Sequence, residues 1–399
     1  MSNTNLTNDI LLREAMRLAH EKISFLGTID RQFDASYNGN PKHGASLRIA
    51  EPVQYVRRQG SRVMDVQDSL QTAITLTAGT QDGVDMRFNS AELALDIEEF
   101  SKTYIEPAIN TLISGIEGDV IAAVTKNVYQ LVGTHGTPPT DLAALGAARA
   151  KLNQQLAPKD GNRYIQLDSV TVGGLVNGLK GGFEDSAQIK EAFREGFYKR
   201  TAMADFYENE KMWTMPNSAD VAGTLDTYTV VEGDEDLTVT GLSAAPVAGM
   251  IFTIAGVYDC HPETKAAYSH LKQFTAVTGS TTTNLLFSPA IRISGARKNV
   301  ATSTGGDIAP STTAAITFSG SASTNYLQNL MYHKDAFTFV TANLPLMDDA
   351  HKCVRRVQEG ISMRLWQASD IRNDEMLTRL DILYGYKTMR PQWACRITN

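Results

Sequence analysis

The sequence predicts an α+β fold into which an all-β module is inserted. Three features support this: a long helical stripe of apolar residues, a stretch rich in Thr, Ser, Gly and Val at residues 216–325, and mixed helix and strand patterns on both sides of it. The chain has 399 residues, 42% apolar and 20% charged, which is enough for two or three domains with cores of their own. Its three cysteines lie far apart and predict isolated thiols rather than a disulfide framework or a zinc site.

The first 75 residues predict two arms. Residues 7–26 place apolar side chains at helical spacing, and Gly27 is a stop signal. A polar stretch follows this helix, so we expect its apolar face to pack on a neighbouring subunit. Residues 47–74 show two extended runs around Gly60, typical of a hairpin arm. The arm carries four cations: Arg48, Arg57, Arg58 and Arg62. Two interpretations stay open, a solvated loop and an arm laid on an acidic partner surface.

A long helix is predicted from about Phe100 to Leu131. Some 30 residues at a rise of ~1.5 Å each would span ~45 Å. The apolar stripe consists of Ile105, Ile109, Leu112, Ile116, Val120, Val124 and Val128. The polar face carries Glu98, Glu99, Glu106, Glu117 and Asp119. These acids are candidate partners for the arginines of the arm.

The rest of the chain alternates between helix and strand signals. A Gly- and Pro-rich break at 133–139 precedes a helix capped by Thr140 or Asp141, and then the strand RYIQLDSVTV and helical stretches. Short alternating runs at 217–324 predict a small β barrel or sandwich, interrupted by one helix at PETKAAYSHLKQ. After residue 325 we expect one long strand or a strand pair, an α-rich basic segment, and final strands.

The basic segment, DDAHKCVRRVQEGISMRLWQASD, is predicted to form a helix that serves as a domain face or a subunit contact. Its cations are Lys352, Arg355, Arg356 and Arg364. Nearby acids partly neutralise them, which argues against a phosphate-binding role.

Composition and motif spacing exclude several classes of function. The net charge of −7 offers no broad basic face for nucleic acid. The glycine-rich run at 173–182 lacks the spacing of a phosphate-binding loop and is interpreted as a surface loop, and the acidic run at 232–236 as a solvated turn. We expect no membrane span, no secretory signal, no metal, no cofactor and no enzymatic activity.

Four segments, in this order along the chain, carry a resemblance to a known family. They are GASLRIAEPVQYVRRQG, FNSAELALDIEEFSKTYIEPAINTLISGIEGDV, GMIFTIAGV and YGYKTMRPQWACRI. The chain resembles the major capsid proteins of short-tailed Salmonella phages and their relatives. That branch of the tailed-phage capsid fold has an N-terminal arm, an extended loop, a spine helix in a peripheral domain, and an axial domain interrupted by an inserted β barrel.

The resemblance implies a domain plan for this chain. Residues 1–35 are expected to form the N-terminal arm and residues 51–75 the extended loop. Residues 36–50 and 76–135 would form the peripheral domain with the spine helix. The axial domain and C-terminal strands would comprise 136–215 and 326–399, and the inserted β domain 216–325.

The resemblance also implies assembly into an icosahedral head that encloses double-stranded DNA, with the chain located in the virion after assembly in the host cytoplasm. Expected partners are further copies of the chain in rings of five and six, a scaffolding protein, a portal protein and packaged DNA bound without sequence recognition. Intersubunit contacts are expected at Arg57, Arg58 and Arg62 on one side and at Glu98, Glu99 and Glu106 on the other. The alternatives are another virion structural protein, of the tail or a decoration protein, and an enzyme of unknown class.

Overall fold

A computed structural model describes most of the chain in two compact units. The described residues are 12–13, 15–17, 23–38, 46–58, 60, 62–64, 66–67, 71–89, 106–178, 200–201, 204–225, 231–308, 314–347, 352–358, 361–370, 372–373 and 375–399. Unit 1 comprises residues 1–49, 74–120 and 337–387, and unit 2 comprises 50–73, 121–336 and 388–399. Most of the predicted N-terminal helix at 7–26 and the helical stretches beyond residue 178 lie outside the described residues.

The described part of unit 1 contains a short helix, part of a long helix and seven strands. Their bounds are α1 Asp34–Asn38, β1 Ser46–Ala50, β2 Ala73–Thr77, β3 Thr80–Asn89, the first part of α2 Glu106–Lys126, β17 Phe337–Ala342, β18 Lys352–Gln358, β19 Ile361–Asp370 and β20 Glu375–Thr388. Strand β20 lies between β3 and β19, and β18 pairs with the far side of β19, all antiparallel. This sheet is the main scaffold of unit 1.

The basic segment predicted as a helix is a β hairpin. Strands β18 and β19 pair in register from Lys352 opposite Gln367 to Gln358 opposite Ile361. The prediction was wrong because Ile361, Met363 and Leu365 alternate with polar residues at a period of two, and all three are buried. Pairing with β20 therefore outweighs any local helical preference.

The long helix α2 ends at Lys126, before the predicted end at Leu131. The predicted apolar stripe is its buried face within the described range, from Ile109 to Val124. By length and composition alone α2 is apolar enough to cross a membrane, contrary to the expectation from the sequence, and half of its most apolar window is buried inside the protein. A buried core helix of a soluble protein meets the same criterion.

The described part of unit 2 contains the end of α2, two further helices and fourteen strands. Their bounds are β4 Leu131–Val132, α3 Leu142–Gln154, β5 Arg163–Leu167, α4 Ser169–Gly178, β6 Arg200–Thr201, β7 Ala204–Glu208, β8 Thr214–Pro216, β9 Ala222–Leu225, β10 Asp236–Thr240, β11 Ile251–Cys260, β12 Ala267–Ala276, β13 Asn284–Ser288, β14 Val300–Ala301, β15 Ala315–Phe318, β16 Asn325–His333 and β21 Ala394–Thr398. Two short 3-10 turns, Lys334–Ala336 and Pro391–Trp393, complete it.

The first sheet of unit 2 has the order β4-β21-β16-β5-β7-β6, with β8 added to β16. Helix α3 covers it through Leu145, Ala148 and Leu152, and its N-cap is Asp141, whose side chain accepts from the amide of Ala143 at 3.0 Å. The C-terminal strand β21 lies inside this sheet, between β4 and β16, and all five of its residues are buried.

The strand predicted as RYIQLDSVTV ends at Leu167, and α4 follows at once. The carboxylate of Asp168 accepts from the amide of Thr171 at 3.3 Å and starts the helix. Part of the glycine-rich run predicted as a surface loop, Gly173–Gly178, is therefore helical. Gly174 fits there because a Cβ atom would approach the carbonyl oxygen of Pro139 to 2.9 Å.

The inserted β domain predicted from the sequence is present. Strands β12, β13, β10, β9, β15 and β11 pair in that order, and β11 pairs with β12 to close the circle. Phe252, Phe274, Phe287 and Phe318 pack together inside it. The helix predicted at PETKAAYSHLKQ was wrong, because Ala267–Ala276 forms strand β12 against β11. Closure of the barrel determines the conformation of this segment.

The division into two units differs from the predicted domain plan, whose boundaries remain a prediction. The residues 337–387 group with 74–120, whereas the plan assigns them to the axial domain together with 388–399. The extended loop and the inserted β domain fall in the same unit.

Candidate subunit-contact surfaces

The arm at residues 51–72 is extended but has no β ladder in its described part. Side-chain hydrogen bonds join its two limbs instead. The amide of Val56 donates to Oε1 of Gln67 at 2.8 Å, and Nε2 of Gln67 donates to the carbonyl of Val56 at 2.6 Å. Nearer the tip, the guanidinium of Arg58 donates to the carbonyl of Val63. The arm is thus a hairpin held by side chains.

All three arginines predicted to make contacts, Arg57, Arg58 and Arg62, are exposed on the arm. Sequence reasoning missed the apolar residues that accompany them. The exposed fractions of Tyr55, Val63, Met64 and Val66 are 64%, 76%, 80% and 79%. So many large apolar side chains exposed within one short segment are typical of an interaction surface. The apolar pairs Tyr55–Val56 and Val63–Met64, on either side of the polar tip, were the available signal.

The acidic residues predicted on the polar face of the helix differ in their burial. Glu106 is the first residue of α2 and is partly buried, whereas Glu98 and Glu99 lie outside the described residues. Glu117, which the sequence placed on the polar face, is fully buried. Its carboxylate accepts from the amide and hydroxyl of Ser24, at 3.0 and 3.1 Å, and from the amide of Phe25. Glu117 therefore holds the N-terminal segment and is unavailable to an arm.

The root of the arm is connected to the inserted β domain. The amide of Glu51 donates to the carbonyl of Thr72 at 2.8 Å, and the hydroxyl of Thr72 donates to the carboxylate of Glu51. Nη2 of Arg297, in the loop between β13 and β14, donates to the same hydroxyl oxygen at 2.8 Å. The two limbs thus meet at one hydroxyl group that also binds the inserted domain.

A buried cation joins the inserted domain to the first sheet of unit 2. The fully buried guanidinium of Arg396, on β21, donates to the carbonyls of Gly249 at 2.6 Å and Lys126 at 3.0 Å and to the hydroxyl of Thr275 at 3.3 Å. Lys126 ends α2, where the helix dipole favours a cation. Burial lowers the pKa of Arg396 to about 9, so the group stays charged at neutral pH. The sequence carried no signal for this role.

A buried ion pair lies between β11 and β12. Nζ of Lys272 is 2.8 Å from Oδ1 of Asp259, and Nε2 of Gln155 donates to Oδ2 of Asp259 at 2.9 Å. Burial acts to raise the pKa of Asp259, but Lys272 and His270 outweigh it and hold the value at about 2. Both partners are ionised at neutral pH, which favours a structural role.

One face of the sheet in unit 1 carries a groove of about 390 Å³ beside Trp366. The carboxylate of Asp85 accepts two hydrogen bonds from Arg379, at 2.6 and 3.0 Å, at its margin. These charges pair with each other, and no group of His, Cys, Asp and Glu among the described residues could hold a metal ion. The groove therefore carries no arrangement typical of catalysis.

Two of the four cations of the basic segment, Arg355 and Arg364, make contacts within unit 1. Arg364 and Asp381 form a buried pair at 2.6 Å, and Arg364 also donates to the carbonyl of Pro345 at 2.9 Å. Arg355 donates to the carbonyl of Leu344 at 2.9 Å. The described parts of this segment therefore stabilise unit 1 internally.

Comparisons with solved structures and with known sequences identify proteins that are similar to this chain. A structure from Mycobacterium phage Che8 aligns with a TM-score of 0.50 over 94% of this chain and 90% of that chain, at 12% identity. The capsid structure of the cyanophage P-SCSP1u and the asymmetric unit of the bacteriophage PhiM1 mature capsid align with TM-scores of 0.42 each, at 10% and 8% identity. They cover 89% of this chain and 83% and 82% of those chains. None of the curated protein sequences compared with the chain matches it.

The sequence model of the family described as "P22 coat protein - gene protein 5" matches residues 44–396. Together with the fold, this defines the class: a tailed-phage capsid protein, structural and not enzymatic. The chain belongs to the P22 coat protein family. It is a major capsid protein, and copies of it form the shell of the phage head. The predicted family, fold class and function are confirmed, and the tail, decoration and enzyme alternatives are set aside.

Proposed function

We propose that copies of this coat protein join head to tail, through unlike surfaces, into rings of five and six that close into an icosahedral shell around double-stranded DNA. Contacts between unlike surfaces generate a closed ring when the rotation from one copy to the next is a whole fraction of a full turn. The single observation that carries the proposal is the arm, which exposes several large apolar side chains together with its arginines. A second copy of the chain supplies the surface that covers them.

The arm contacts its neighbour through two kinds of group. Tyr55, Val63 and Met64 supply apolar area, and Arg57, Arg58 and Arg62 supply the charge. The segment 53–64 contains three cations and no acid, while the chain as a whole has a net charge of −7. The acceptor surface on the neighbour includes Glu98, Glu99 and Glu106. Exposed ion pairs contribute only about 0 to 1 kcal/mol each, so the arginines chiefly orient the contact.

The domain plan assigns a part to each segment. Residues 1–35 form the N-terminal arm and 51–75 the extended loop, and both adapt the same chain to unequal positions in the shell. Residues 36–50 with 76–135 form the peripheral domain, residues 136–215 with 326–399 the axial domain, and residues 216–325 the inserted domain. The closed barrel at 222–318 supports the last of these assignments.

Three further partners follow from membership of the family: a scaffolding protein during assembly, a portal protein, and packaged double-stranded DNA. Assembly takes place in the host cytoplasm. The net charge of −7 suits a container, because an inner wall that gripped phosphates would oppose the movement of DNA.

Negative-stain microscopy and sedimentation test the proposal on the purified chain, alone and with a candidate scaffolding protein, over a range of concentrations. We expect closed shells, tubes or capsid-like rings. A chain that stays monomeric under every condition contradicts the proposed mode of assembly.

A further inference from the structure

The inserted β domain and the arm meet at Thr72. Its hydroxyl oxygen accepts from Arg297 at 2.8 Å and donates its own proton to the carboxylate of Glu51. Its carbonyl accepts from the amide of Glu51 at 2.8 Å. Thr72, at the end of the second limb of the arm, therefore contacts both Glu51 at the start of the first limb and the inserted domain.

The loop that carries Arg297 is itself held firmly. The side-chain oxygen of Asn299 accepts from the amide of Arg292 at 2.9 Å, and its amide group donates to the carbonyl of Ala290 at 2.8 Å. The backbone of Asn299 also donates to the carbonyl of Arg292 at 3.0 Å. Next to Arg297, Lys298 pairs with Asp307 at 2.8 Å, within the inserted domain. Arg297 thus projects from a fixed platform.

The arm benefits from such a platform because the two-stranded sheet of β1 and β2 holds only its base. Its limbs are joined by the side chains of Gln67 and Arg58 and not by a β ladder. An arm free to swing at its root must lose that freedom on docking, which weakens binding. A fixed root removes part of this entropic cost before the contact forms.

We propose that the inserted β domain braces the arm through Arg297 and Thr72, which makes Arg297 a positioning residue for assembly. This inference rests on the proposed function, in which the arm docks on a second copy of the chain. Arg297 acts on the direction of the arm through Thr72. The inserted domain is thereby coupled to assembly from within its own chain.

Hydrogen–deuterium exchange of the unassembled full-length chain tests the brace directly. We expect Arg297→Ala and Thr72→Val to raise exchange several-fold at the amides of Glu51 and Val56, while exchange inside the barrel stays unchanged. Thr72→Ser keeps the hydroxyl group and should behave like the original chain. Lys159→Ala removes an exposed cation elsewhere in unit 2 and is the matched control, with no expected change at the arm. Equal exchange in all variants overturns the proposal.

A double-mutant cycle isolates the contact from other effects of each substitution. Residues that act through one contact give non-additive effects when both are changed. Arg297→Ala with Thr72→Val should raise exchange at the arm root no further than either single variant does. Additive increases would show that the two residues act separately, and the brace would be refuted.

Assembly measured by light scattering then links the brace to function. Arg297→Ala should raise the concentration needed for assembly several-fold, and Lys159→Ala should leave it unchanged. One outcome separates the brace from the proposed docking of the arm. Arg297→Ala raises exchange at the arm, but neither Arg297→Ala nor changes to the arm's own exposed residues affect assembly. In that case the brace exists, and the arm does not dock on a neighbouring copy. If only Arg297→Ala lacks an effect on assembly, its role as a positioning residue fails.

Discussion

At the scale of single residues, buried charges show how this chain uses groups that usually lie at the surface. Arg396 has no carboxylate partner among its described contacts and is held by carbonyl and hydroxyl oxygens. Asp34 is also buried, and burial raises its pKa to about 6. Arg396 connects structural elements, and Asp34 makes the stability of the fold depend on pH.

Replacement of Arg396 by Met should destabilise unit 2 strongly. The substitution keeps much of the side-chain volume but leaves the carbonyl of Gly249 without its donor and the carbonyl of Lys126 with only the hydroxyl of Thr275. Each unpaired buried polar group costs about 1–3 kcal/mol, so we expect a loss of about 3 kcal/mol in the free energy of unfolding. Urea denaturation followed by Trp fluorescence measures it. The control Arg372→Met alters an exposed residue, and a similar loss there would contradict the interpretation.

Asp34→Asn should stabilise the protein at neutral pH. A folded-state pKa near 6, above the ordinary value of 3.8, means that the folded chain binds the proton more tightly. Stability therefore falls as pH rises from about 4 through 6, and the buried charge is unfavourable above that range. Asn retains an oxygen for the amide of Thr341. We expect a gain of about 1–2 kcal/mol at pH 7.5 that vanishes near pH 4.

Thermal unfolding of Asp34→Asn and the original chain from pH 4 to 7.5 measures this difference. Asp236→Asn changes an exposed carboxylate and serves as the control. A constant difference across the whole pH range would show that the effect of the Asp34→Asn substitution does not arise from titration.

At the scale of elements, the sequence predicted α2 and the barrel well but the β18–β19 hairpin badly. The stripe from Ile109 to Val124 has helical periodicity over several turns, and such a pattern is unambiguous. The segment KCVRRVQ has no clear periodicity of its own. Its neighbour β19 decides its conformation, and β19 is itself paired on its other side with β20.

Helix α2 also anchors the N-terminal segment through Glu117. Glu117→Ala should release residues 23–26, because the amides of Ser24 and Phe25 lose a charged acceptor. Hydrogen bonds to charged groups contribute about 1.5–3 kcal/mol, so we expect exchange at these amides to rise at least tenfold. Hydrogen–deuterium exchange measures this rise. Glu106→Ala, on the same helix but only partly buried, should leave both amides protected, and an equal rise there would exclude a specific role for Glu117.

At the scale of the whole molecule, the exposed arm is the surface that we expect another copy of the chain to cover. Changing Arg57, Arg58 and Arg62 together to Ala should slow assembly about tenfold at low salt and less at high salt, because salt screens the attraction that steers the contact. The melting temperature should not change, since all three side chains are exposed. Light scattering at several salt concentrations follows the assembly.

The matched control removes three exposed cations elsewhere, at Lys159, Arg372 and Lys387, and so makes the same change in net charge. It should assemble like the original chain. An equal slowing in both variants would mean that net charge, and not the arm, governs assembly.

The sequence by itself determined the class of fold, the existence of the inserted β domain, the main helix and the arm with its arginines. These features rest on local periodicity, composition and the order of segments, all of which can be read directly from the sequence. Tertiary structure alone decided the burial of Glu117, the role of Arg396, the pairing of β20 with β3 and the contact of Arg297 with Thr72. Each depends on groups that come from separate segments of the chain. Pairing between such segments is governed by packing and desolvation in the folded state, and no local pattern records it.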